Sequence, residues 1–319
     1  MSQSDGNPEN WERKVLEKLA TSALMEQRRS RYWGIFFKSL TFLYLFLLLF
    51  IAAGWFGARE MTSPGKHTAL VQVSGVIATD SRASSEQITA GLQAAFKDSN
   101  TQGVVLRINS PGGSPVQAGQ INDEIRRLRA QYPNIPLYAV IEDVCASGGY
   151  YIAVAADQIF VNRASLVGSI GVLMDGFGFS GVLDKLGVER RLLTAGDNKG
   201  FLDPFSPLDP KQRAHAQQML NDIHAQFIEV VKRGRGDRLK PDPQIFSGLV
   251  WTGERSIELG LADALGSVEY VAREVIKAET IVDYTPRENI AERVVRRFGA
   301  ASAEALWGAA TAPRTSPVR

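Results

Sequence analysis

Apolar and polar positions along the chain fall into distinct regimes. Residues 39–58 read SLTFLYLFLLLFIAAGWFGA, an apolar run without a single charge. A helix of that length spans about 30 Å, the hydrocarbon thickness of a bilayer. From residue 68 the pattern changes to short β-rich runs alternating with helical spacing. TALVQVSGVIA at 68–78, GVVLRIN at 103–109, and residues 136–144 and 158–162 predict strands. Residues 84–98, 116–132 and 147–156 predict helices. In the first of these Ile88, Leu92, Ala95 and Phe96 share one face, and Ser84 with Gln87 suits a capping box. The βαβαβαβ order predicts an α/β fold, a mostly parallel sheet with flanking helices, preceded by one transmembrane helix. Further helices are predicted at 211–233, 253–260 and 268–278, and a strand running up to Thr194. The resulting organisation is 1–38 as an N-terminal segment, 39–58 as the span, 66–280 as one folded domain and 281–319 as an Arg/Ala-rich tail.

Composition narrows the classes. Lys+Arg 36 against Asp+Glu 34 in 319 residues leaves +2. That balance argues against a nucleic-acid binder working through a strong overall positive field. With 45% hydrophobic and 22% charged residues the chain is not a disordered one. Cys145 is the sole cysteine, which excludes an internal disulfide and a zinc–cysteine cluster. Arg28, Arg29, Arg31 and Lys38 precede the apolar run, while Arg59 and Lys66 follow it with Glu60 between them. The excess on the N-terminal side predicts a cytoplasmic N-terminus and a domain on the far side of the membrane, the periplasm in a Gram-negative bacterium. Residues 1–38 read as a short helix on the membrane surface. The basic run KRGRGDRLK at 232–240 reads as a solvated loop after a helix.

Chemistry is concentrated in four short segments. NSPGGS at 109–114 lies between a predicted strand and helix: its paired glycines either present backbone N–H groups to an oxyanion or another anion, or simply make a strand-to-helix turn. CASGGYY at 145–151 sets Ser147 at a helix start, either as a nucleophile or simply as a helix N-cap. Cys145 is the alternative nucleophile in that segment. VGSIGV at 167–172 offers Ser169, a partner for a base or a turn serine. GDNKGFLDPF at 196–205 offers Lys199 among glycines and apolar residues. The three histidines do not suit a Ser-His-Asp site: His67 sits beside the span, and His215 and His224 fall on an amphipathic helix. That leaves Lys199 as a candidate base, or as a solvated loop lysine.

Taken in order, LRINSPGGSP at 106–115, CASGGYYIA at 145–153, VGSIGV at 167–172 and GDNKGFLDPF at 196–205 resemble signal peptide peptidase A and protease IV, membrane-bound serine peptidases of bacteria. VWTGE at 250–254 and GLAD at 260–263 add to the resemblance, which covers about 68–278. It implies a ClpP/crotonase-like fold and makes 66–280 a serine peptidase domain. It implies Ser147 as nucleophile, Lys199 as general base, Ser169 orienting the lysine amine, and an oxyanion hole from the backbone at Gly113 and Gly148. It further implies cleaved signal peptides and other apolar peptides as substrates, a lipid anchor through one helix, and a homo-oligomer, an octameric ring for the single-unit form. No cofactor, metal or nucleic acid enters the implied mechanism. A crotonase-like acyl-CoA hydrolase or hydratase and a non-catalytic membrane scaffold are the competing readings. Residues 1–38 exceed what the resemblance accounts for.

Overall fold

The computed structural model describes residues 8–52 and 65–286. The chain divides into two units, one holding Thr62–Pro286 and the other the N-terminal helix. That helix, α1, runs unbroken over Pro8–Ala52. Its Val15–Phe50 stretch is long and apolar enough to cross a membrane. The helix expected on the membrane surface and the span are therefore one element, because no proline or glycine interrupts 9–33. Residues 53–58 of the predicted span lie outside the described residues.

The second unit alternates strands and helices as the pattern predicts. β1 (His67–Ser74), β2 (Thr101–Ser110), β3 (Leu137–Ala146), β4 (Gln158–Val161) and β5 (Leu166–Gly168) are separated by α2 (Ser85–Lys97), α3 (Pro115–Gln131) and α4 (Gly148–Ala153). After β5 come α5 (Ser180–Leu186), α6 (Pro210–Arg235), β6 (Val250–Thr252), α7 (Gly253–Glu258), β7 (Ala264–Leu265), α8 (Val268–Tyr270) with its π-helical continuation Val271–Ile276, and β8 (Ile281–Asp283). The sheet order is β6-β5-β3-β2-β1-β8, with β4 and β7 branching from β3. Every pairing is parallel except β5 with β6.

Both sheet faces are apolar, and strand alternation explains how. Ala69, Val71, Val73, Val104, Leu106, Ile108, Ala139 and Ile141 join the larger core under α2, α3 and α4. Their sequence neighbours Leu70, Val105 and Val140 point the other way, to Phe160, Val268 and Val271. Ser84 caps α2 through Gln87 N–H, one half of the expected box.

Within the second unit the structure corrects four further sequence expectations. No strand leads to Thr194; 187–195 forms no regular element, and α5 precedes it. Ile281–Asp283, assigned to the tail, is a strand paired with β1; residues 287–319 lie outside the described residues. The helix expected over 268–278 is a short α turn widened into a π-helix. The basic run at 232–240 is not simply solvated. Arg235 is 2% exposed and forks onto Asp263 at 2.8 and 2.9 Å, and Arg238 reaches Asp263 and the Asp157 carbonyl. Two of its cations are thus used to close the end of α6 against the sheet.

Candidate active site

Strand register gathers three of the four motifs. β2 and β3 pair Ser110 with Cys145, and β3 and β5 pair Cys145 with Val167 and Ala146 with Gly168. The turns after these residues lie side by side at the carboxyl ends of parallel strands, where open α/β sheets place their sites.

Ser147 joins β3 to α4 with φ 51° and ψ −120°. A non-glycine residue in such a region costs about 1–3 kcal/mol and persists where its surroundings fix it. Here its N–H donates to the Gly168 carbonyl at 2.9 Å, and its own carbonyl accepts Tyr151 N–H at 2.9 Å. It occupies the N-cap position, yet its side chain makes no capping hydrogen bond. Ser114, Asp209 and Thr252 do cap their helices. The N-cap reading of Ser147 therefore fails on geometry, and its hydroxyl is left for other work.

The glycines of 109–114 pass under this serine. A Cβ on Gly112 (φ 102°) would lie 2.7 Å from Ser147 Cβ and 2.8 Å from Gly148 N. On Gly113 (φ 145°) it would lie 2.1 Å from the Ile77 carbonyl oxygen. Ile77 N–H donates to Gly112 O, and Ser114 N–H to Ile77 O, each at 2.8 Å. This leaves Gly113 N–H without a backbone carbonyl among the described residues. Gly148 N–H, at the first position of α4, is in the same condition, as helix starts dictate. A Cβ on Gly148 would sit 3.3 Å from Gly113 N. Two uncommitted amides thus adjoin the Ser147 turn, an arrangement able to hold a developing oxyanion.

Ser169 is the second serine at positive φ, 53°. Its N–H donates to the Leu249 carbonyl at 2.7 Å, one residue from the Gly168 carbonyl that fixes Ser147. Cys145 is buried, and burial pushes its thiol up, away from the reactive thiolate. This argues against Cys145 as nucleophile. His67 is buried with Nε2 3.0 Å from the Tyr284 hydroxyl, His215 lies edge-on to Phe201, and His224 Nε2 lies 3.1 Å from the Ile170 carbonyl oxygen. None of them bonds to Ser147.

Lys199 is placed differently. It sits on an exposed loop between α5 and α6, its N–H donating to Gly196 O at 3.1 Å. No hydrogen bond joins its amine to Ser147 or Ser169. The structure thus brings together Ser147, Ser169, Gly113 and Gly148, and leaves Lys199 outside that group. Leu173, Phe177 and Leu193 of this excursion are 80%, 82% and 96% exposed. Sequence reading also missed Ile77, whose backbone bridges the glycine turn; no side-chain signal marks it.

The chain is similar to several known proteins. A sequence model of peptidase family S49 matches residues 129–281. A Brucella melitensis protein named Na(+)/H(+) antiporter NhaA is 47% identical over 181 residues, covering 56% of this chain but 24% of that protein. This chain therefore spans about a quarter of that relative's length. Protease 4 of Haemophilus influenzae is 30% identical over 219 residues, 67% of this chain and 35% of that one. The Synechocystis protein slr0021, named as a candidate protease, is 30% identical over 208 residues, 65% of this chain and 73% of its own length. Such similarity along most of a relative, over an α/β sheet that collects the serine and glycine motifs at one edge, makes this chain a member of peptidase family S49, the signal peptide peptidase A and protease IV family.

Proposed function

We propose that this protein is a membrane-anchored serine endopeptidase with a Ser–Lys dyad that degrades cleaved signal peptides. One observation carries the reading: among the described residues the Ser147 hydroxyl makes no capping bond at a strained helix start, beside two amides that meet no backbone carbonyl. Ser147 is the nucleophile and Lys199 the general base. Neutral Lys199 takes the hydroxyl proton as Oγ attacks the peptide carbonyl. The oxyanion forms between Gly113 and Gly148 N–H, where one donor is worth about 3–4 kcal/mol in other proteases. The lysine ammonium then protonates the leaving amine, and water, deprotonated by the same lysine, hydrolyses the acyl-enzyme. Ser169 orients the amine.

The exposure of Lys199 and of the apolar excursion around it favours assembly. A second copy seated there would bury Leu173, Phe177 and Leu193 and exclude water from the amine. The dyad then forms between copies in a ring, an octamer by family resemblance. α1 anchors the chain, with the N-terminus cytoplasmic and the peptidase domain beyond the membrane. Apolar peptides left in the bilayer are the substrates within reach.

The test uses detergent-purified full-length protein and a fluorogenic signal-like peptide. Ser147→Ala and Lys199→Ala should each be inactive while still assembled, and mixed, exchanging subunits should regain activity. Parental activity in Lys199→Ala overturns the dyad. Absent recovery despite demonstrated exchange overturns the shared site.

A further inference from the structure

Lys199 belongs to a long excursion, 171–209, that leaves the sheet after Ile170 and returns as α6. Excursions of that size with an exposed apolar surface need something to hold their base. Ile170 is fully buried, directly after Ser169. On the returning side, His224 of α6 lies with Nε2 3.1 Å from the Ile170 carbonyl oxygen. A carbonyl only accepts, so Nε2 carries the proton and donates. This bond ties the point where the excursion leaves the sheet to the helix by which it comes back.

The same helix grips the lysine loop at its other end. Gln212 Oε1 accepts Leu202 N–H at 2.9 Å, and the His215 ring lies edge-on to Phe201, centroids 5.8 Å apart. Leu202 itself is held at φ 54°. Gln212 and His224 are twelve residues apart, about 18 Å along the helix axis. α6 is thus a rigid strut. His224 fixes it beside Ser169, Gln212 holds the Leu202 backbone three residues beyond Lys199, and His215 packs against the Phe201 ring two residues beyond it.

We infer that His224 is a positioning residue for the proposed peptidase: its hydrogen bond to the Ile170 carbonyl sets the seat of α6 and so where Lys199 is offered. It touches neither the substrate nor the reacting atoms. The inference rests on the Ser147–Lys199 reading for its catalytic consequence, but its structural part stands apart from that reading.

The experiment compares the full-length parent, His224→Leu and His224→Gln in detergent. Glutamine reaches as far as imidazole Nε2 and can donate the same bond. Two measurements are made: kcat and KM on the fluorogenic peptide, and hydrogen–deuterium exchange of fragments from 171–209 and from the central strands. His224→Leu should lower kcat about tenfold or more with KM within about twofold, as small misplacements of a catalytic group do. Exchange should quicken across 171–209 and stay unchanged in β1, β2 and β3, and His224→Gln should restore both. Parental exchange in 171–209 of His224→Leu overturns the inference, as does exchange quickened equally in the central strands. A kcat loss that glutamine does not rescue also overturns it. If the parent itself hydrolyses nothing, the peptidase reading fails, while exchange still decides whether His224 holds the excursion.

Discussion

The turn around Ser147 and the loop around Lys199 are built in opposite ways. The serine turn is over-determined: register with two neighbouring strands, two backbone bonds and a glycine crossing that admits no Cβ fix it together. The lysine loop is exposed, held by Gln212 and His215 of α6 on one side and by Phe179 and Arg190 on the other. In one the strain of a positive φ is absorbed by surrounding structure. In the other, apolar side chains are left exposed by the described residues. A single chain therefore fixes the serine turn by folding, and under the proposed mechanism the lysine would become effective only on assembly.

The sharpest attack on this contrast is at the serine. Ser147→Ala should lower peptide hydrolysis by about 10⁴-fold while leaving the thermal midpoint within about 3 °C, read by initial rates and calorimetry. Next is the sheet that fixes the turn. Arg235→Met leaves Asp263 without its forked partner and should destabilise by about 3–5 kcal/mol in urea unfolding. Burial raises the Asp263 carboxyl, but the hydrogen bonds and charge of Arg235 outweigh it and hold the group below its usual range. A depressed carboxylate stabilises above its unfolded value, near ~3.9, and that stability is lost as pH falls through the folded value. The parent should therefore lose stability below about pH 4 more steeply than Asp263→Asn, measured by unfolding across pH. A smaller effect tests the strain. Ser147→Gly should be more stable than Ser147→Ala by about 1 kcal/mol, because glycine accepts φ 51°; equal stability would mean the turn stores no strain. The smallest is at the loop. Leu193→Asp should shift the thermal midpoint by less than about 2 °C, as exposed substitutions do, yet weaken self-association in sedimentation velocity.

Much of the serine region was legible in the sequence because it is local. A strand of β-branched residues, a glycine turn and a helix with periodic apolar positions each carry their own signal, and α2, α3 and β1 to β4 fall within a few residues of expectation. Gly113 and Gly148 are singled out by the family resemblance, since a glycine pair alone also suits an ordinary turn. The remainder depended on contacts distant in sequence. Strands of two or three residues such as β6, β7 and β8 exist because a neighbour offers an edge. Arg235 looks like any cation in a basic run until Asp263 arrives from 28 residues away. His224 sits on an amphipathic helix with nothing in its spacing to distinguish a hydrogen bond to Ile170 from a surface position.

The pairing of β8 with β1 has a consequence for how the molecule comes into being. Thr68 lies against Ile281 in parallel register, so the first of the described strands is covered by the last of them. Chain emerging in order completes the serine turn and its supports through residue 252 while the outer edge of β1 is still open. An open edge is a template for pairing with other extended chains, and parallel contacts this distant in sequence form slowly. The interval between the appearance of residue 74 and the arrival of residue 281 is therefore when this edge is most exposed to misassembly.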